Sequence, residues 1–172
     1  MKEQPTLTTE RLILRPYSIT DAKDLQRLIG DRDVSDTFLL IPFPYTEGMA
    51  EEWITKQSVE HEEGKSIQFA ITDREQGFLI GTVIIMNIIK ELERAAIGYW
   101  IGKPYWHKGY CTEAASAAVK YGFEELGLNR ICATHMTRNP RSGRVMQKIG
   151  MQHEGHLRQY GKKWGKYEDG EM

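Results

Sequence analysis

The sequence predicts an α/β (α+β) fold, with a mixed, mostly antiparallel central sheet flanked by helices. Two observations predict it. Three apolar segments rich in β-branched residues lie between residues 67 and 101, separated only by turn or polar residues, which is typical of an antiparallel meander. After residue 101 the apolar spacing becomes helical and then alternates with further strand-like runs. A strand–helix–strand unit of this kind has parallel strands and a right-handed crossover.

The chain begins with one predicted strand and one predicted helix. Arg11–Arg15 (RLILR) is a short apolar run that Pro16 closes, as expected of a strand. Thr20 or Asp21 is the predicted N-cap of the first helix, and Gly30 ends it.

Two prolines shape the next segment. Residues 41–46 (IPFPYT) are expected to be extended, because proline disfavours helical backbone in the residue before it. Thr46 is then predicted to cap a second helix, which runs to Gly64. The elements predicted after it are strands at Ile67–Thr72, Leu79–Ile89 and Ala95–Ile101, a helix at Thr112–Leu126, a strand at Arg130–Thr137, a helix at Ser142–Ile149 and a strand at Met151–Arg158.

Length and composition limit the function classes. At 172 residues a single domain over residues 1–172 is expected. The net charge of −1, from 23 basic and 24 acidic residues, gives no electrostatic signature for nucleic acid or an anionic membrane. No apolar run approaches the roughly 20 residues that span a bilayer. Cys111 and Cys132 form no CxxC pair, which argues against a disulfide scaffold or a thiolate metal site. We therefore expect a cytoplasmic protein that binds no metal.

One glycine-containing loop is a candidate anion site. Residues 105–114 (YWHKGYCTEA) follow the last meander strand and enter a helix, whose first N–H groups and dipole attract negative charge. Gly109 allows a close backbone approach, and Cys111 is small. His107 and Lys108 add positive charge, and the Thr112 hydroxyl can cap the helix or donate to a phosphate. The spacing predicts a diphosphate site; an ordinary helix cap is the alternative.

Five motifs in order resemble one known family. They are Thr9–Arg15 (TERLILR), Pro42–Thr46, Ile97–Ile101 (IGYWI), Trp106–Ala114, and Asn139-x-x-Ser142 followed by Lys148–Met151. On these motifs the chain resembles the GNAT (GCN5-related) N-acetyltransferases, in the branch similar to the ribosomal-protein N-terminal acetyltransferases (RimJ/RimL-like). The resemblance covers nearly the whole chain.

The resemblance implies acetyl-CoA as the cosubstrate. In this family the strand that corresponds to Ala95–Ile101 splays from its parallel neighbour, and Trp100 and Ile101 would offer backbone groups to the pantetheine arm. The residues that would hold the diphosphate are Trp106, His107, Lys108, Gly109, Tyr110, Cys111 and Thr112. Two of them depart from the general family pattern, Trp106 for Gln or Arg and Cys111 for Gly or Ala.

The reaction needs a proton donor for the thiolate that leaves. Many enzymes of this family use a tyrosine where this chain has Met146. The RimJ/RimL-like branch implies that Asn139 contacts the cofactor arm and that Ser142 gives its proton to the thiolate. The alternative is that Asn139 and Ser142 only cap a helix.

A general base is harder to assign. Ala95 and Ala96 stand where related sequences often carry a carboxylate. Glu93, Glu154 and His135 are the open candidates, and each is also explained as a surface or structural residue.

Weak base machinery suits an amine of low pKa, so a protein N-terminal α-amine is the expected acceptor. A small-molecule amine (polyamine, amino sugar or amino acid) and a CoA-binding module without turnover are the alternatives. Acceptor contacts are expected from residues 41–46, Trp53 and the aromatic residues Tyr160, Trp164 and Tyr167, which could instead pack in the core. The final strand of the family is expected to be short or missing here, and homodimerisation stays open.

Overall fold

A computed structural model describes residues 4–172, and its larger sheet has six strands in chain order. The strands are β1 (Leu7–Thr8), β2 (Leu12–Arg15), β3 (Ile67–Asp73), β4 (Leu79–Ile89), β5 (Arg94–Ile101) and β6 (Arg130–Cys132). All neighbouring pairs are antiparallel except β5 and β6, which are parallel. The predicted meander and the mixed, mostly antiparallel sheet are confirmed.

Helices cover both faces of this sheet. They are α1 (Ala22–Ile29), α2 (Arg32–Ser35), α3 (Met49–Glu62), α4 (Tyr110–Glu124) and α5 (Pro140–Lys148). Leu25 of α1 and Ile54 of α3 pack with Trp100 on one face, while Ala114 of α4 and Met146 of α5 pack with Ile97 on the other. Since successive strand residues point to opposite faces, β5 contributes side chains to both cores.

The C-terminal part of the chain forms a second sheet. Its strands are β7 (His135–Met136), β8 (His156–Lys163) and β9 (Lys166–Glu171), in the order β7–β9–β8. The strand predicted at Arg130–Thr137 is therefore two strands in two sheets, and the one predicted from Met151 starts only at His156. Residues 166–171, for which no strand was predicted, form the central strand of this sheet.

The break between β6 and β7 opens the larger sheet. The parallel pairing joins Arg94–Ala96 to Arg130–Cys132 and then stops, because the chain turns away at residues 133–134 to reach the second sheet. Within residues 4–172, no strand pairs with Ile97–Ile101 on that side. The splayed pair of parallel strands, joined by α4, is confirmed.

Helix α1 has Asp21, one of its two predicted N-caps, at the N-cap position, and Ser18 caps the 3-10 turn at residues 19–21 that precedes it. Three other helix starts differ from the predicted ones. Helix α5 begins at Pro140, two residues before Ser142. Gly48, with φ of +86°, precedes α3 in place of Thr46. Helix α4 begins at Tyr110, two residues before Thr112, because Gly109 at φ +81° supplies the left-handed turn into it. Over the described residues, no helix has the length and apolar character needed to cross a membrane.

Candidate active site

The open edge of β5 is the first part of the site. The Gly102 N–H donates to the Ile80 carbonyl at 2.9 Å, and this hydrogen bond identifies which residues of β5 direct their backbone groups toward β4. Alternate residues of an antiparallel strand direct both backbone groups to the same neighbour. The backbone groups of Trp100 therefore face β4, and those of Tyr99 and Ile101 face the opening. Of the two residues expected to present backbone groups, only Ile101 has them on the open side; sequence reasoning missed Tyr99.

The loop between β5 and α4 is the second part. Gly109 has no side chain with which to cap α4, so the first N–H groups of the helix, from Tyr110 to Thr112, point out of its end without a side-chain cap. His107 adopts φ of +63°, and the side chains of His107 and Lys108 are exposed beside this end. The start of α4 therefore presents uncapped backbone N–H groups beside positive charge, an arrangement that suits an anion.

Trp106 ties this loop to the end of β5. Its indole N–H donates to the Ile101 carbonyl at 2.7 Å, so this carbonyl, on the open edge, already has a donor. The guanidinium carbon of Arg141, on α5, lies 5.7 Å from the centre of the Trp106 ring. Arg141 is a cation beside the loop that sequence reasoning missed, since nothing in the local pattern links α5 to residue 106.

A pair of hydroxyl groups lies between β5 and α5. The Ser142 hydroxyl donates to the Tyr99 hydroxyl oxygen at 3.2 Å, and the Tyr99 hydroxyl donates to the Ser142 carbonyl at 3.1 Å. Burial raises the pKa of Tyr99, an effect that the hydrogen bond from Ser142 only partly offsets, so the phenol is neutral at physiological pH. Tyr99 could have been identified from the sequence, because it lies in the IGYW motif beside the predicted site.

Cys111 lies in the first turn of α4 and packs against the same hydrophobic core as Tyr99. Burial raises the pKa of its thiol to about 12. The sequence suggested a small residue in the loop, whereas the helix begins one residue earlier, at Tyr110, and leaves Cys111 half-buried in its first turn. A protonated thiol is a weak nucleophile, because the thiolate is the reactive form.

Asn139 stands at the N-cap position of α5, but its side chain makes no capping hydrogen bond. Its carbonyl accepts from the Ser142 N–H at 3.2 Å, and its own N–H donates to the Met136 carbonyl at 2.7 Å. The backbone thus holds Asn139 and Ser142 in one turn at the start of α5. In this turn the Ser142 hydroxyl bonds to Tyr99, and the Asn139 carboxamide has no capping role.

The three base candidates lie in different surroundings. Glu93 lies in the turn before β5, six residues and about 20 Å along the strand from Tyr99. Glu154 forms an ion pair with Arg130. The His135 Nδ1 lies 2.9 Å from the Met136 carbonyl oxygen, and the ring packs so closely on Gly143 that a Cβ there would be 2.7 Å from Nε2.

On the opposite face of β5, the segment at residues 36–44 packs against the β8–β9 hairpin. The buried Lys163 ammonium donates to the carbonyls of Phe38 and Ile41, each at 2.6 Å. The rings of Phe43 and Trp164 lie 5.7 Å apart. The structure therefore brings together two of the segments expected to contact the acceptor.

Trp53 does not join them. Its ring packs edge-on against Tyr17 at 5.2 Å, in the core between the sheet and α3. Among residues 4–172, no three His, Cys, Asp or Glu side chains are arranged so that they could hold a metal ion.

Comparisons with known proteins agree with this geometry. A family model described as an acetyltransferase (GNAT) domain matches residues 11–152. The chain is 36% identical over 156 residues to the uncharacterized N-acetyltransferase YoaA of Bacillus subtilis (strain 168), covering 91% of this chain and 88% of that protein. It is 30% identical over 165 residues to the [ribosomal protein uS5]-alanine N-acetyltransferase of Escherichia coli (strain K12), covering 90% and 81%.

A solved structure supports the same family. The acetyltransferase (GNAT family) from Bacillus anthracis matches with a TM-score of 0.85 and 29% identity, over 97% of this chain and 95% of that one. The resemblance to the RimJ/RimL-like branch is confirmed by the uS5-alanine relative. The chain belongs to the GNAT family and is an N-acetyltransferase that uses acetyl-CoA.

Proposed function

We propose that this N-acetyltransferase moves the acetyl group of acetyl-CoA directly to the α-amino group of a protein N-terminus. Donor and acceptor meet in a ternary complex at the opening in β5. The acceptor enters past the packed wall of residues 36–44 and the β8–β9 hairpin, and the donor lies on the face covered by α4 and α5.

The donor is held by backbone groups at two places. The pantetheine amides pair with the open edge of β5, through the backbone groups of Tyr99 and Ile101, as an added strand would. Trp100 supports this edge from the opposite core, where its side chain is buried. The diphosphate binds at the start of α4, with the N–H groups of Tyr110, Cys111 and Thr112 as donors.

The remaining loop residues shape this diphosphate site. Gly109 keeps the approach clear, and Trp106 anchors the loop to Ile101. His107 and Lys108 add positive charge.

Catalysis then requires little beyond positioning and one proton donor. The neutral amine attacks the thioester carbonyl, the C–N bond forms, the C–S bond breaks, and the attacking nitrogen releases its extra proton to water. Ser142 gives its proton to the thiolate that leaves and regains one from solvent. Tyr99 holds the Ser142 hydroxyl in place, and the Asn139 carboxamide contacts the pantetheine arm.

The surroundings of the three base candidates support an α-amine as the acceptor. Glu93 is far from Tyr99, Glu154 is paired with Arg130, and His135 is packed on Gly143. An α-amine with a pKa of about 7.7–8.0 is roughly one-third neutral at pH 7.5, whereas a lysine-like amine is neutral in only about one molecule in a thousand. An acceptor that deprotonates unaided needs no enzyme base. The likeness to the uS5-alanine acetyltransferase supports the same class of acceptor.

Mass spectrometry on a mixed acceptor panel tests the proposal. The panel combines peptides with Ser, Ala or Met N-termini, the same peptides with blocked N-termini and an internal lysine, and small amines including polyamines. We expect acetylation only at free N-termini. Acetylated small amines with untouched peptides would replace the proposal with the small-amine alternative. Acetylation of the blocked peptides would show that the enzyme deprotonates a high-pKa amine.

A further inference from the structure

The first motif of the chain, Thr9–Arg15, has no part in the chemistry above, yet its side chains reach the diphosphate loop. The Thr9 hydroxyl donates to Glu113 Oε1 at 2.6 Å, and the Arg11 N–H donates to the same oxygen at 2.8 Å. Arg11 Nε and Nη2 lie 2.8 and 2.6 Å from Glu113 Oε2. Glu113 lies in the first turn of α4, so the start of β2 is tied to the end of the helix that faces the loop.

The same guanidinium also contacts the loop itself. Arg11 Nη1 donates to the Lys108 carbonyl at 2.9 Å. Its Cζ lies 4.7 Å from the centre of the Tyr110 ring, and Nη2 lies 3.4 Å from where a Cβ at Gly109 would be. Arg11 therefore contacts the residues on both sides of Gly109 at the turn into α4, where the left-handed Gly109 would otherwise leave the backbone free to move.

The charge of Glu113 gives this contact a second consequence. Burial alone would raise the pKa of Glu113, but the hydrogen bonds from Thr9 and Arg11 outweigh it and bring the pKa below its ordinary value. The carboxylate is therefore ionised at neutral pH, one turn from the helix end. An unpaired carboxylate there would repel a diphosphate and cancel part of the attraction of the helix end. Arg11 neutralises it.

We propose that Arg11 is a positioning residue for the diphosphate of acetyl-CoA, which sets the backbone at residues 108–110 and neutralises Glu113 without touching the cofactor. The inference rests on the proposed diphosphate site at the start of α4. It predicts a defect that appears with a donor that carries the diphosphate and not with one that ends at the pantetheine.

The test compares two donors, acetyl-CoA and S-acetyl-pantetheine, which lacks the diphosphate and the nucleotide. For Arg11→Ala we expect KM for acetyl-CoA to rise about tenfold or more, with kcat nearly unchanged. An effect of this size is typical of the loss of a charge-assisted hydrogen bond. KM for S-acetyl-pantetheine should stay as in the wild type. Equal losses with both donors, or no loss with either, would overturn the inference.

Two further variants separate positioning from general stability. The double variant Arg11→Ala/Glu113→Gln also removes the carboxylate charge that Arg11→Ala leaves unpaired, so it should recover part of the acetyl-CoA affinity. No recovery would overturn the claim that Arg11 acts by neutralising Glu113. Arg15→Ala is the matched control, because Arg15 holds Asp21 through two hydrogen bonds at 2.7 and 2.8 Å and lies at the other end of β2. It should lower the melting temperature and leave the ratio of the two KM values unchanged.

Direct binding measurements with CoA and with pantetheine, without acceptor, distinguish failure of the proposed diphosphate site from failure of the inference about Arg11. A wild-type protein that binds CoA no more tightly than pantetheine would overturn the diphosphate site and the inference together. A wild-type preference for CoA that Arg11→Ala retains in full would overturn only the inference. If Arg11→Ala does not fold, Arg11→Lys gives the same comparison, since a single ammonium cannot bond Glu113 and the Lys108 carbonyl with the same geometry.

Discussion

The Ser142 hydroxyl donates to the Tyr99 hydroxyl oxygen at 3.2 Å, and this contact joins the open strand β5 to the first turn of α5. The phenol also donates to the Ser142 carbonyl, so both the side chain and the backbone of Ser142 are held. At the position where the family resemblance implies a tyrosine in many enzymes, this chain has the buried Met146. A phenol is nevertheless present at the site, supplied by β5.

Removal of the Ser142 hydroxyl, the proposed proton donor, should lower turnover and leave the binding of acetyl-CoA unchanged. For Ser142→Ala we expect kcat to fall by about 10²-fold or more, the usual range for a lost general acid, with KM for acetyl-CoA within about twofold. Steady-state kinetics with a fixed peptide acceptor measures both values. Ser116→Ala, at an exposed position on α4, is the matched control and should behave as the wild type. Wild-type kcat in Ser142→Ala would remove Ser142 from the mechanism.

Tyr99 should act through Ser142. For Tyr99→Phe we expect kcat to fall about tenfold, because the Ser142 hydroxyl loses the group that orients it. The double variant Tyr99→Phe/Ser142→Ala should be no slower than Ser142→Ala alone, since residues that act as a unit are not additive. Additive losses in this cycle would show that Tyr99 works independently of Ser142.

The pH dependence of kcat/KM should follow the acceptor and not the enzyme. With a peptide acceptor, the rate should rise through the α-amine pKa, about 7.7–8.0, and shift when a peptide of different N-terminal pKa is used. Because burial raises the pKa of Tyr99, its ionisation should cause no loss of activity up to about pH 10. A profile that does not move with the acceptor's pKa, together with loss of activity in His135→Gln, would instead identify His135 as the base.

The second sheet should be most stable in mildly acidic solution. Glu171 accepts from His156 Nδ1 at 2.7 Å and lies 2.8 Å from His153 Nε2. Hydrogen bonds from His156 and then His153 lower the pKa of Glu171 to about 2, and the hydrogen bond to Glu171 raises the pKa of His156 above its ordinary 6.5.

The sign of each effect follows from linkage. The Glu171 contribution is complete above about pH 4.5, its unfolded value, and is lost as pH falls toward 2. The His156 contribution is complete below pH 6.5 and is lost as pH rises through its higher folded pKa. The melting temperature should therefore be highest between about pH 4.5 and 6.5, and His156→Gln should remove the decline on the alkaline side. An unchanged alkaline decline in His156→Gln would assign it to another group.

Much of the fold was predictable because its signals are local. The strands at residues 67–101 follow from β-branched apolar runs, which must be buried, and the helix after residue 109 follows from its apolar spacing. Gly109 marks the turn into that helix for a local reason as well, because few other residues adopt φ of +81° without strain. The N-cap predicted at Thr46 was wrong, because several nearby residues can occupy this position and the choice of Gly48 depends on contacts that local sequence does not rank.

The details of the site depend on contacts between distant parts of the chain. Arg11 meets Glu113 across 102 residues and Tyr99 meets Ser142 across 43, so no local periodicity could reveal either pair. The division of residues 130–137 between two sheets has the same origin, since a strand edge is chosen by its partners and not by its own residues. The sequence by itself determined the family, the sheet and the loop for which we propose diphosphate binding. Tertiary packing alone decided which edge of β5 is open, which hydroxyl groups meet there, and which arginine supports the loop, because these depend on distances that only the folded chain creates.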